Sequence, residues 1–159
     1  MNEQNLGSSE RQKELKEKLL AYRALENKAS TLVKQQNMFA SKILEVQSTI
    51  ESINEIKKGK KGANDILFPL GSATYTKGAI VDTNRLIVEV GAGAVVEKTS
   101  DEAKAILEKR KKELEDAIGL LQKKIQNISV MMQKIEADAQ GIIHEAQKEG
   151  EKFRVVSPE

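Results

Sequence analysis

Over the first third of the chain, apolar residues recur at alternating steps of three and four. Written as heptads, one seam position holds Leu15, Tyr22, Ala29, Gln36, Ile43 and Ile50, and the other holds Lys18, Leu25, Leu32, Phe39, Val46 and Ile53. Ten of these twelve residues are apolar, and the exceptions, Lys18 and Gln36, are of the kind that set register without breaking a seam. Ser9 with Gln12 three residues later predicts a capping-box start. Lys57 and Lys58, followed by Gly59 and Gly62, predict the stop, because positive charge is favoured at the carbonyl end of a helix. The pattern predicts one helix over 9–58, about 70 Å long at 1.5 Å per residue.

A second seam runs through Ala103, Leu107, Arg110, Leu114, Ala117, Leu121, Ile125, Ile128, Met132, Ile135, Ala139, Ile142 and Ala146. Two steps of four meet at Leu121, a stutter that unwinds a left-handed coiled coil locally without ending it, and Gly119 lies beside it. Thr99 and Glu102 form a capping-box pair, so the second helix is expected over 100–152.

Between the seams, 66–98 changes character: its apolar residues are β-branched, grouped in short runs and punctuated by glycine and Asp-Thr-Asn, the pattern of strands and turns. Ala79–Val81 and Leu86–Val90 flank Asp82-Thr83-Asn84-Arg85, and a hairpin is expected across that interval. A second pairing is expected between Ile66–Leu70 and Thr74–Thr76, with a last strand over Val95–Lys98 after Gly91-Ala92-Gly93. The period of two puts Leu86, Val88 and Val90 on one apolar face and Ile87 and Glu89 on the other. About thirty residues of sheet carry too little core to stand alone and leave strand edges open. Completion by another copy or another subunit is expected, with Ile80, Leu86, Val88, Val90 and Val95 as the assembly residues.

Two helices flanking a compact β segment fold back most economically as an antiparallel coiled coil. Partners then have numbers summing to about 157, as in Ile50 with Leu107, Tyr22 with Ile135 and Leu15 with Ile142, and both chain termini lie at the tip far from the sheet. The expected fold class is α+β, mainly α: one domain over 1–159 made of a long two-helix coiled coil with a central insert of two β-hairpins.

Composition agrees with this reading. Charged residues make up 31% of the 159 and aromatics only 3%, which suits helical hairpins better than a globular core. The formal net charge of +2 arises from 26 basic and 24 acidic side chains spread along the chain, so no nucleic-acid or membrane partner follows from it. The lysines around Gly59 lack a neighbouring aromatic or arginine and offer only weak, salt-sensitive phosphate contacts. There is no cysteine, no signal-peptide pattern and no apolar run of bilayer length, and a cytoplasmic protein is expected.

Nothing points to catalysis. His144 is the single histidine and lacks the second histidine of a zinc-protease helix. Asp101-Glu102 and Glu113 with Asp116 sit on charged helical faces beside lysines, where surface pairing outranks acid/base chemistry. Gly91-Ala92-Gly93 has neither the spacing nor the Lys-Ser/Thr of a phosphate loop. No enzyme activity, metal site or cofactor is expected.

Near the tip, apolar residues exceed what a two-helix seam buries: Leu15, Leu19, Leu20, Tyr22 and Leu25 on the first helix, and Met131, Met132, Ile135, Ile142, Ile143 and Phe153 on the second. A wider seam, or another helix packing there, would account for them. The functional reading is a partly exposed, adaptable surface, to which methionine is suited. Its binding residues would be Leu15, Leu19, Leu20, Tyr22, Met131, Met132, Ile142, Ile143 and Phe153.

The order helix, β segment, helix, with LFPLGSATYTKGAIVDTNRLIVEVGAGAVVEKT between the helices, resembles a prefoldin α subunit. The specific parts are Leu67–Ser72, Lys77–Asp82, and Val90-Gly91-Ala92-Gly93 running into Val96-Glu97-Lys98, while Phe68 stands where a small β-branched residue would be expected. The resemblance implies a hexamer of two α and four β subunits whose hairpins join in an oligomeric β-barrel. It further implies capture of unfolded client polypeptides at the coiled-coil tips and delivery to a group II chaperonin without ATP. The alternative is a structural coiled-coil adaptor or spacer. In membrane-fusion adaptors, however, strands flank the helical hairpin, whereas here helices flank the strands.

Overall fold

The computed structural model describes residues 3–58 and 64–148. Two long helices, α1 (Glu3–Lys58) and α2 (Ser100–Lys148), bracket four strands: β1 (Asn64–Gly71), β2 (Thr74–Ala79), β3 (Arg85–Gly91) and β4 (Ala94–Thr99). The chain divides into two compact units, a helical unit of Met1–Asn37 with Gly119–Glu159 and a hairpin unit of Met38–Ile118.

In the helical unit the seam is as the heptads predict. Leu15, Tyr22, Leu25, Ala29, Leu32, Ile125, Met132, Ile135 and Ile142 are half-buried, and Leu121, Ile128 and Ala146 are buried. Lys18, a charged residue at a seam position, lays its stem along the seam and places its Nζ 3.0 Å from Asp138 Oδ2 and 3.7 Å from Glu14 Oε1. Lys18 with Asp138, and Tyr22 with Glu136, fall within one of the expected sum of 157. The stutter leaves α2 unbroken, and Leu121 and Ile125 still point inward.

The hairpin unit is built on a buried cluster of Ile50, Ile53, Ala103 and Leu107, with Val46, Leu86 and Val88 packed against it. Each large aliphatic side chain buried there contributes about 1.5–3 kcal/mol. The same register continues at its edges, where Lys111 Nζ donates to Gln47 Oε1 at 2.7 Å and Lys57 Nζ to Asp101 Oδ1 at 2.7 Å.

Two expectations are corrected. Helix α1 begins at Glu3, so Ser9 and Gln12 lie inside it. A capping box ends a helix only where propagation beyond it fails, and 3–8 contains no proline, with the cost of Gly7 only about 1 kcal/mol. Second, β2 does not pair with β3: the sheets are two separate antiparallel hairpins, β1 with β2 and β3 with β4. The Asp82–Asn84 interval is a connector, in which the Asn84 N–H donates to Asp82 Oδ1 at 2.8 Å and the carbonyls of Thr83 and Asn84 accept from Ser100 Oγ and N at 2.8 and 2.9 Å. Those bonds commit the loop to the start of α2 and leave no ladder across it. Helix α2 is described to Lys148, and its expected end at 152 lies outside the described residues.

The true hairpin turns are Ser72-Ala73, between Gly71 and Thr74, and Ala92-Gly93, between Gly91 and Ala94. Both central residues have positive φ in each turn, at 46° and 58° in the first and 48° and 75° in the second. This is the requirement of the type I′ turn, whose twist matches that of the strands. At the other end of β4 the expected capping box is formed: the Thr99 N–H donates to Glu102 Oε2 at 2.9 Å and the Glu102 N–H to Thr99 Oγ1 at 3.3 Å.

Candidate functional site

Two surfaces carry the residues singled out in the sequence. On the hairpin unit, the face holding Leu86 and Val88 is turned onto the chain's own helices, where both are half-buried against the Ile50 cluster. Arg110, at a seam position of α2, donates a hydrogen bond from Nη2 to the Glu89 carbonyl and fixes β3 further along the helix. That apolar face is therefore occupied within the chain, which the alternation of the sequence could not reveal.

Val90, beyond the helix contact, is 47% exposed, and Val95, on the opposite face with Ile87, is 63% exposed. Ile80 is half-buried in the connector. The exposed apolar residues of the hairpins also include Ile87 at 78%, Leu67, Phe68, Leu70 and Tyr75, none of which is among the expected assembly residues. In β1 and β2 their signal was the apolar run from Leu67 to Leu70 and the Thr74-Tyr75-Thr76 alternation.

On the helical unit the predicted binding residues divide. Leu19, Leu20 and Met131 are exposed, joined by Val130, which sequence reasoning passed over. Leu15, Tyr22, Met132, Ile142 and Ile143 are half-buried, four of them in the seam. Phe153 lies outside the described residues.

Ala29 occupies a seam position opposite Ile128, and its short side chain opens a groove of about 360 Å³ along one side of the helix pair. Half-buried Tyr22, Ala29, Ile125 and Met132 form its apolar inside, and exposed Ser129, Gln133 and Glu136 its rim. The Tyr22 hydroxyl donates to Glu136, and this bond, then partial burial and the negative charges of Glu136 and Glu26, hold its pKa above the ordinary phenol value. The Lys18 ammonium is likewise raised, chiefly by its hydrogen bond to Asp138. Among the described residues no group of three or more His, Cys, Asp or Glu is placed to hold a metal, and no helix is long and apolar enough to cross a membrane.

Known proteins share this arrangement. The family model for prefoldin subunits matches residues 25–145. Prefoldin subunit alpha of Pyrococcus horikoshii is 39% identical over 106 residues, covering 67% of this chain and 72% of the relative. Prefoldin subunit alpha of Nitrosopumilus maritimus is 31% identical over 127 residues, covering 80% and 86%. A chain of filamentous PFD from Methanocaldococcus jannaschii has the same fold, with a TM-score of 0.66 at 20% identity over 77% of this chain and 98% of that one. With two hairpins set between two coiled-coil helices and sequence matches that span most of its length, the chain belongs to the prefoldin family, in the alpha-subunit class.

Proposed function

We propose that this chain is the α subunit of a cytoplasmic prefoldin hexamer of two α and four β subunits. In this reading it holds unfolded polypeptides without ATP and passes them to a group II chaperonin. The observation that carries the client-holding step is that the exposed apolar side chains of the helical unit include Leu19, Leu20, Val130 and Met131, beside Val33 and Leu120. Exposed apolar side chains give unfolded segments a surface on which to bury their own, and methionine adapts to many partners. The exposed Ile87, Leu67, Phe68, Leu70 and Tyr75 of the hairpins support assembly with β subunits through completed sheets.

A client gains little from these side chains on one subunit. Leu19, Leu20 and Met131 each have about half their surface left to bury, on the order of 3 kcal/mol together before ordering costs. Holding then depends on several subunits engaging one client at high effective concentration.

The test is the triple variant Leu19→Ser, Leu20→Ser, Met131→Ser in complexes with β subunits. Native mass is expected to be unchanged, and suppression of aggregation of a denatured client to fall without vanishing. Equal protection by variant and parent would favour a spacer role for this subunit.

A further inference from the structure

The groove beside Tyr22 has an apolar inside and an acidic edge. Glu136 stands on its rim, and Glu26 lies one helical turn from Tyr22 on the same side, both exposed. Neither carboxylate has a lysine or arginine within ion-pair distance among the described residues, although Lys18, one turn before Tyr22, is paired with Asp138 and Glu14. The long-range field does not favour cations, since the formal net charge of the chain is +2. Any preference for positive charge at this place is therefore local.

An extended segment carrying an apolar side chain and a lysine or arginine matches both halves of the groove. The apolar side chain sits over Ala29 and Ile125 against the adaptable Met132. The basic residue lays its methylenes on the Tyr22 ring and brings its charge to the two carboxylates. We propose that this groove is a client subsite selecting segments of unfolded polypeptide in which apolar and basic residues alternate, an inference that rests on the client-holding reading above.

The test uses the full-length chain assembled with prefoldin β subunits and a labelled peptide of repeating Leu-Lys-Ser, with counterparts in which Glu or Gln replaces Lys. The parent complex is expected to bind the Lys peptide about tenfold more tightly than the Glu peptide at low salt, the scale of two part-exposed ion pairs. That ratio is expected to shrink at about 0.5 M salt. The double variant Glu26→Gln, Glu136→Gln is expected to bring the three peptides within about twofold, the residue of weak surface effects. Glu115→Gln, exposed on the hairpin unit, is expected to leave the ratio alone. Ala29→Leu fills the groove and is expected to weaken all three peptides.

Undiminished discrimination by the double Gln variant would overturn the proposal. So would a change in the native mass of the complex on filling the groove, since its occupant would then be another subunit's helix. If the parent holds a denatured client but shows no charge preference, the subsite fails while the holding function stands. If the parent holds no client at all, both fail.

Discussion

The ring of Phe68 lies over Gly78: a Cβ at position 78 would stand 2.6 Å from the ring Cε2 and 2.9 Å from Cδ2. The two residues face each other diagonally across the β1–β2 ladder, where Phe68 is opposite Thr76 and Ile66 opposite Gly78. The aromatic side chain that departs from a small β-branched residue at 68 is thus accommodated by the missing side chain at 78, an arrangement in which the ring also covers backbone that glycine leaves bare.

Gly78→Val is therefore expected to push the ring aside and loosen the hairpin, by about 1–3 kcal/mol. Phe68→Val in the same chain should recover part of the loss. Amide exchange of β2 in the two single variants and the double variant measures the coupling, and strictly additive effects would mean that the ring and the glycine are independent.

The faces of β3 make opposite predictions for adjacent residues. Val88→Asp places a charge against Ile50 and Leu107, and is expected to lower the thermal stability of the isolated chain by about 1–3 kcal/mol. Ile87→Asp, at 78% exposure, should leave that stability nearly unchanged and instead reduce the fraction of chain found with β subunits by native mass measurement.

How much of this was legible in the sequence depends on the range of the interaction. Every predicted seam position, from Leu15 to Ile53 and from Ala103 to Ala146, is buried or half-buried, because a heptad seam is repeated many times and each repeat confirms the last. The Thr99–Glu102 cap was equally local and equally readable. Strand pairing was not. Asp82-Thr83-Asn84 has turn composition, but its carbonyls are claimed by Ser100, a residue that no local pattern links to it. The same distance hid the inner face of β3: alternation showed that Leu86 and Val88 share a side, but only the fold places the Ile50 cluster under them. On the helical unit, an apolar count identified Leu19, Leu20 and Met131, while the groove depends on Ala29 being small where its neighbours are large.

Acid should weaken the start of α2 in particular. Asp101 is held below its ordinary pKa chiefly by its hydrogen bond from Lys57, and Glu102 chiefly by the Thr99 backbone N–H and hydroxyl. Both carboxyls are thus lower in the folded than in the unfolded chain. Their contribution is fully present above the ordinary carboxylate range, about 3.9 to 4.3, and is lost as pH falls below it. Melting temperature against pH should be flatter in that window for the double variant Asp101→Asn, Glu102→Gln than for the parent. Parallel curves would remove these two groups from the acid response.

Ala73 and Ala92 hold left-handed φ values of 58° and 48°, a conformation costing a residue with a Cβ about 1–2 kcal/mol. Ala73→Gly should recover part of that, offset by the greater freedom of glycine in the unfolded chain. A net gain of about 0.5 kcal/mol is expected from amide exchange in β1 and β2.

Thr99 is at once the last residue of β4 and the cap of α2, and Ser100, the first helical residue, is tied back to the 83–84 loop. Strand and helix are therefore joined with no slack, and the rotational phase of α2 is inherited from the hairpin. One residue inserted or deleted at this joint would turn the start of the helix by about 100°, carrying Ala103 and Leu107 away from Ile50 and Ile53. The joint thus acts as a keyway: side chains on either side of it can be exchanged one at a time, but the number of residues across it is fixed.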